Sequence, residues 1–131
     1  KDAAGSLDQA SATRQLCRPD FEIWSGDDSL TLPMMAVGAR GIISVVSHVV
    51  GNEIAAMVKA FHAGDMAKAR EIHLQLLPIF KVMFITSNPA PVKYALELMG
   101  WPVGKPRLPL VEPSVSEKEA IRKVLHDLGR I

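Results

Sequence analysis

The sequence predicts an α/β fold built on a parallel sheet, on three observations. Two short runs, Phe21-Glu22-Ile23-Trp24-Ser25 and Gly41-Ile42-Ile43-Ser44-Val45-Val46, carry apolar residues on successive positions, the pattern of strands covered on both faces. Each run passes through a short polar turn, Gly26-Asp27-Asp28 or Ser47-His48, into a helical pattern. Two such strands with a helix between them make a βαβ unit. Beyond Gly51 the chain keeps helical periodicity and shows no further strand pattern.

In order, residues from about Ser6 to Cys17 read as a helix, ended by Arg18-Pro19-Asp20 because proline disfavours helix in the residue before it. After the strand at Phe21 to Ser25, Asp27 and Asp28 stand where a helix needs N-caps, ahead of Leu30, Leu32, Met34, Met35 and Val37. Gly38 suits a left-handed C-terminal position, and the second strand opens at Gly41. Ile54, Met57, Val58 and Phe61 then define one helical face. Gly64-Asp65 closes that helix and opens a longer one in which Pro78 predicts a kink. Asn88-Pro89-Ala90-Pro91 is a rigid turn into a third helix, with Pro91 suited to the first helical position. Gly100-Trp101-Pro102 ends it. A proline-rich connector follows, and a last helix starts at Ser114 or Ser116, each with Glu three residues on.

The layout is therefore α-β-α-β-α followed by three helices. That is the order of the tail of a (β/α)8 barrel, over residues 1–64, with a C-terminal three-helix extension over 65–131. A complete barrel runs to about 250 residues, roughly twice this chain. Lys1 is an odd biological start, and a parallel sheet of two strands does not stand alone, so an upstream, N-terminal half of the barrel is expected outside this sequence.

Composition narrows the function classes. With 48% hydrophobic and 22% charged residues the chain is globular, and its 15 basic and 14 acidic residues create no broad field for nucleic acid or anionic lipid. No stretch is apolar for long enough to span a bilayer, the front shows no secretory leader pattern, and the single Cys17 fits a reducing compartment. A cytoplasmic protein with neither membrane nor nucleic-acid partner is the expectation.

Five blocks, read in order, narrow this further: Lys1-Asp2-Ala3-Ala4-Gly5, Trp24-Ser25-Gly26-Asp27-Asp28, Gly41-Ile42-Ile43-Ser44-Val45, Asn88-Pro89-Ala90-Pro91-Val92-Lys93 and Arg107-Leu108-Pro109-Leu110. Together they resemble the dihydrodipicolinate synthase family of pyruvate-dependent class I aldolases and lyases, over essentially the whole chain. The last two blocks favour the synthases over the N-acetylneuraminate lyases. His48 and Gly51 stand where the commoner family version has Asn and, nearby, Pro; the segment Ser44 to Glu53 resembles the variant seen in Gram-positive-type synthases.

The resemblance implies that Lys1 is the Schiff-base lysine at the end of the sixth barrel strand, standing first in its Lys-Asp-Ala-Ala-Gly block. It implies a condensation of pyruvate with L-aspartate semialdehyde on the route to lysine (diaminopimelate biosynthesis), giving 4-hydroxy-tetrahydrodipicolinate through an imine and an enamine. The iminium is the electron sink, so no metal or organic cofactor is required. Free lysine titrates near 10.4, so such chemistry needs an amine kept neutral by burial at a barrel mouth. By the same carry-over Ile43 supplies main-chain contact to bound pyruvate, and Gly26, in the Ser25-Gly26 turn, lines the pocket. The family's relay tyrosine, carboxylate-gripping threonines and acceptor-binding arginine all lie upstream; Tyr94 is not one of them. A homotetramer or homodimer is the implied assembly.

Ordinary readings stand beside these. A terminal lysine is normally a solvated charge. Adjacent aspartates at a helix start are commonly caps rather than metal ligands. His48, His62, His73 and His126 lack ligand spacing, and the six methionines read as core filler, with Met34 and Met35 able to meet a neighbouring subunit. Lys93 is expected to tie its helix down through an ion pair, and Arg107 to brace the connector. Two alternatives remain to the synthase: another pyruvate-dependent aldolase of the same family, and a non-catalytic half-barrel serving as an assembly module. As an isolated piece the half-barrel is expected to be inactive and to present an open sheet edge.

Overall fold

A computed structural model describes all residues, 1–131. The elements are α1 (Leu7–Leu16), β1 (Trp24–Ser25), α2 (Thr31–Ala36), β2 (Gly41–Ile42), α3 (Ser47–His62), α4 (Met66–Val82), α5 (Ala90–Leu98) and α6 (Val115–Asp127), in the order the patterning predicted. Contacts divide the chain into two compact units, one of Lys1–Ser44 with Asn52–Gln75 and one of Val45–Gly51 with Leu76–Ile131. This division crosses α4 between Gln75 and Leu76, whereas the sequence boundary at 64/65 coincides with the α3–α4 turn, where Gly64 has φ +79°.

In the first unit β1 and β2 run parallel, with Trp24 opposite Gly41 and Ser25 opposite Ile42. A third segment lies on the other side of β1, where Asp2 forms a parallel bridge with Ser25. The Asp2 N–H donates to the Trp24 carbonyl at 2.9 Å, and the Gly26 N–H donates to the Asp2 carbonyl at 2.6 Å.

Both strands are shorter than the apolar runs that predicted them. Phe21 is still in the turn from α1, its N–H bonded to the Arg18 carbonyl, and the β2 side first supplies a partner at Arg40, whose N–H reaches the Ile23 carbonyl. The second run leaves the ladder after Ile43 because the Val45 and Val46 carbonyls accept the first bonds of α3. Val46 is fully buried all the same. Burial, rather than strand pairing, accounts for the apolar continuation.

Helix α1 is capped as expected by Ser6, whose side chain accepts from the Gln9 N–H, and ends at Cys17. Arg14 closes the following turn by donating to the carbonyls of Phe21 at 2.6 Å, of Cys17 at 3.4 Å and of Arg18. Gly38 has φ +107°, and a Cβ there would lie 2.9 Å from Arg14 Cδ, so conformation and space both require glycine.

Asp27 and Asp28 do not cap α2, whose N-cap is Leu30 without a side-chain bond. Asp27 Oδ1 instead accepts from the backbone N–H and hydroxyl of Ser29 at 3.0 and 2.9 Å, an Asx turn. Asp28 accepts from the Ser44 hydroxyl. Met34 and Met35, each 3% exposed, pack with Ala10, Ile23 and Ala39 in the core of this unit and are not available to a neighbouring subunit. Leu30, Val37, Val58 and Phe61 cover that core. On α3 the predicted face holds, with Ile54 and Met57 buried, each such burial stabilising by about 2 kcal/mol. Its first turn departs from helical geometry at Val50, φ −130° and ψ 43°.

In the second unit α4 continues as one helix through Pro78. Leu74, four residues before that proline and so without its N–H as a helical partner, is an exposed residue on the first-unit side of the helix. Pro91 occupies the second helical position of α5 rather than the first, because Ala90 precedes it. Helices α5 and α6 pack together, burying Ala95, Ile121 and Leu125 completely. Lys93 makes no ion pair; its Nζ donates to the Lys105 carbonyl at 3.0 Å. The connector is held by Glu112, which receives Lys105 and Lys118 at 3.0 Å each, and these hydrogen bonds, that of Lys118 foremost, hold its carboxyl below the usual range. No helix is long and apolar enough to cross a membrane.

Helix α6 starts at Ser114 with a complete capping box: the Ser114 hydroxyl accepts from the Glu117 N–H, and the Glu117 carboxylate accepts from the Ser114 N–H. Ser114→Ala should therefore cost about 1 kcal/mol in urea unfolding. An unchanged midpoint would mean that the box contributes nothing.

Candidate active site

Parallel strands that stop at the same level leave their C-terminal ends free to present side chains and main chain together, the place where barrel enzymes build their sites. Here three segments stop together. Asp2 bridges Ser25 and Ser25 pairs with Ile42, so Ala3, Gly26 and Ile43 come next at this end, while Lys1 stands one residue before Asp2 and reaches Gly26 by its side chain.

The side chain of Lys1 lies against Gly26. A Cβ built on Gly26 would stand 2.7 Å from Lys1 Cε, 3.0 Å from Lys1 Cγ and 2.8 Å from Ala3 Cβ. Only glycine leaves room for the lysine to pass. Ile43 joins the same end through its N–H, which donates to the Ser25 carbonyl at 2.9 Å, and its residue is half exposed. All three residues singled out in the sequence are thus brought together, two by direct packing and the third by one backbone bond to the residue before Gly26.

The loop behind them is rigidly tied. Ser25, Asp28 and Thr31 are fully buried. The Ser25 hydroxyl donates to the Asp27 carbonyl at 2.8 Å, and the Thr31 hydroxyl donates to the Asp28 carbonyl at 2.9 Å. Sequence reasoning missed the Asp28–Ser44 pair, because an aspartate just ahead of an apolar helical pattern has the signature of a cap and its partner lies 16 residues on. Lys1 also lines a cleft of about 430 Å³ with Asp2, Gln9, Thr13, Phe21 and Ile23, beside α1.

No cluster of three or more His, Cys, Asp or Glu side chains is arranged to hold a metal ion. His62 Nε2 pairs with the Arg40 carbonyl at 2.8 Å, and burial pushes His73 below its ordinary pKa. Tyr94 sits in the second unit, its hydroxyl accepting from Arg122 at 3.4 Å with Lys118 over its ring.

Residues 1–128 match the Dihydrodipicolinate synthetase family. The chain belongs to this family. It is 52% identical over 129 residues to a 4-hydroxy-tetrahydrodipicolinate synthase of Synechococcus elongatus, covering 98% of this chain and 43% of that protein. It is 56% identical to that of Thermosynechococcus vestitus, covering 98% and 44%. The crystal structure of the dihydrodipicolinate synthase of Thermotoga maritima superposes with a TM-score of 0.96 at 39% identity, over 100% of this chain and 45% of that one. The chain thus spans less than half the length of these relatives. Its fold is the C-terminal part of the dihydrodipicolinate synthase (β/α)8 barrel with the helical extension.

Gly26→Ala should push the Lys1 side chain off its present path, since Ala3 Cβ closes the other side of the space. A structure of the variant is the check; a Lys1 side chain left unmoved beside the new methyl group would refute the packing argument.

Proposed function

We propose that this chain is the lysine-bearing part of a Schiff-base lyase that condenses pyruvate with L-aspartate semialdehyde to 4-hydroxy-tetrahydrodipicolinate, in lysine biosynthesis in the cytoplasm. Residues 1–64 complete the barrel and residues 65–131 form its extension. The observation that carries this reading is the packing of Lys1 along Gly26 at the ends of adjacent parallel strands, with the Ile43 main chain alongside.

The Lys1 Nζ attacks the pyruvate ketone, water leaves, and the resulting imine loses a methyl proton to give an enamine. The enamine carbon attacks the semialdehyde. The amine of that substrate then displaces Lys1 by transimination, closing the ring and restoring the lysine. Gly26 leaves room for the extended lysine, and Ile43 offers main-chain hydrogen bonding to the bound keto acid. Imine formation requires a neutral amine and profits from exclusion of water. Lys1 is exposed in this chain, so that exclusion falls to the rest of the barrel.

Incubation of the full-length protein with pyruvate and borohydride, followed by peptide mapping, should find a stable adduct on Lys1 Nζ, absent from Lys1→Ala. Rapid turnover of the trapped enzyme's unreduced form with L-aspartate semialdehyde, and not with sugar-acid or other oxo-acid acceptors, would identify the synthase among the pyruvate aldolases. An intact full-length protein that takes no adduct would sink the lyase reading in favour of a non-catalytic role.

A further inference from the structure

Ile43 is held from both sides. On one side its own N–H is bonded to the Ser25 carbonyl at 2.9 Å. On the other, the next residue, Ser44, gives its hydroxyl to the carboxylate of Asp28, which is fully buried in the loop after β1. The peptide between Ile43 and Ser44 lies between these two anchors, so its carbonyl has little freedom to swing. The loop that carries Asp28 is itself immobilised by Ser25 and Thr31, both fully buried and both bonded to its backbone. An unanchored strand end would hold its last carbonyl over a range of directions; this one is tied across 16 residues to the neighbouring strand's loop.

We propose that Asp28 and Ser44 are positioning residues for pyruvate, fixing the Ile43 carbonyl beside Lys1 and Gly26. The proposal rests on the imine chemistry above. A buried carboxyl oxygen that accepts from a hydroxyl is costly to leave unbonded and so makes a firm tether, and a reacting geometry is sensitive to small displacements. The pair thus acts on capture of the keto acid through the main chain of its neighbour, without touching substrate.

The experiment is steady-state kinetics with single-turnover borohydride trapping on the full-length protein, comparing the native chain, Ser44→Ala, Ser44→Thr and Asp28→Asn. Ser44→Ala keeps the fold and removes the tether; it should lower kcat/KM for pyruvate on the order of ten-fold, mainly through KM, and slow trapping at Lys1 in proportion. KM for the aldehyde should stay put. Ser44→Thr, which restores a hydroxyl, should recover most of the loss. Asp28→Asn should match Ser44→Ala if it folds. A folded Ser44→Ala with native pyruvate kinetics and trapping rate, altered only in melting temperature, would reduce the pair to a structural role and overturn the proposal. Failure of the native protein to form any adduct at Lys1 is a separate result: it removes the lyase reading, and this inference with it.

Discussion

The parallel register across three short segments is the constraint on which the rest depends. Asp2 pairs with Ser25 and Ser25 with Ile42, so that the side chain of Lys1 comes to the edge where Gly26 and Ile43 follow their strands. Because side chains alternate along a strand, a slip of one residue between the Asp2 segment and β1 would turn Lys1 away from Gly26. Few ladder bonds hold this register within the chain. Most of the support comes from what lies behind the strands: α2 with its buried Met34 and Met35, and the bonded loop from Ser25 to Thr31.

That loop is built almost wholly from small polar residues, and this composition is a consequence of where it runs. A turn that must be fully buried at Ser25, Asp28 and Thr31 cannot leave its carbonyls and N–H groups to water. Hydroxyls and carboxylates take over that role, at short range within the turn and by a long reach from Asp28 to Ser44. Local bonds shape the turn, and the long one registers it against the next strand.

Much of the fold was legible in the sequence because its signals are local. The Ser6 cap, the Ser114–Glu117 box, the left-handed Gly38 and the Ile54-Met57 face each depend on residues within a turn or two. The site was legible through the spacing of five blocks and not through any physical pattern, since a lysine at position 1 has no periodicity to betray it. What failed was what depends on distant partners. Strand length was overestimated at Val46 because apolar runs report burial, and burial continued where pairing had stopped, and at Phe21 because that residue, half exposed, is still in the turn from α1. Lys93 went to a carbonyl of the connector rather than to a carboxylate, and Asp28 to a strand end rather than to a helix start. Nothing in the neighbouring residues announces either destination.

The turn between α1 and β1 carries an evolutionary consequence. Arg14 spends its guanidinium on three carbonyls, those of Phe21, Cys17 and Arg18, while its aliphatic stem runs across the space that Gly38 leaves empty. Lysine could not serve three divergent acceptors from one fixed plane. A shorter residue at 14 would open the gap at 38, yet the positive φ of Gly38 would still resist a side chain there. Among descendants of this sequence position 38 should therefore stay glycine whatever stands at 14, while position 14 answers to its three carbonyls alone.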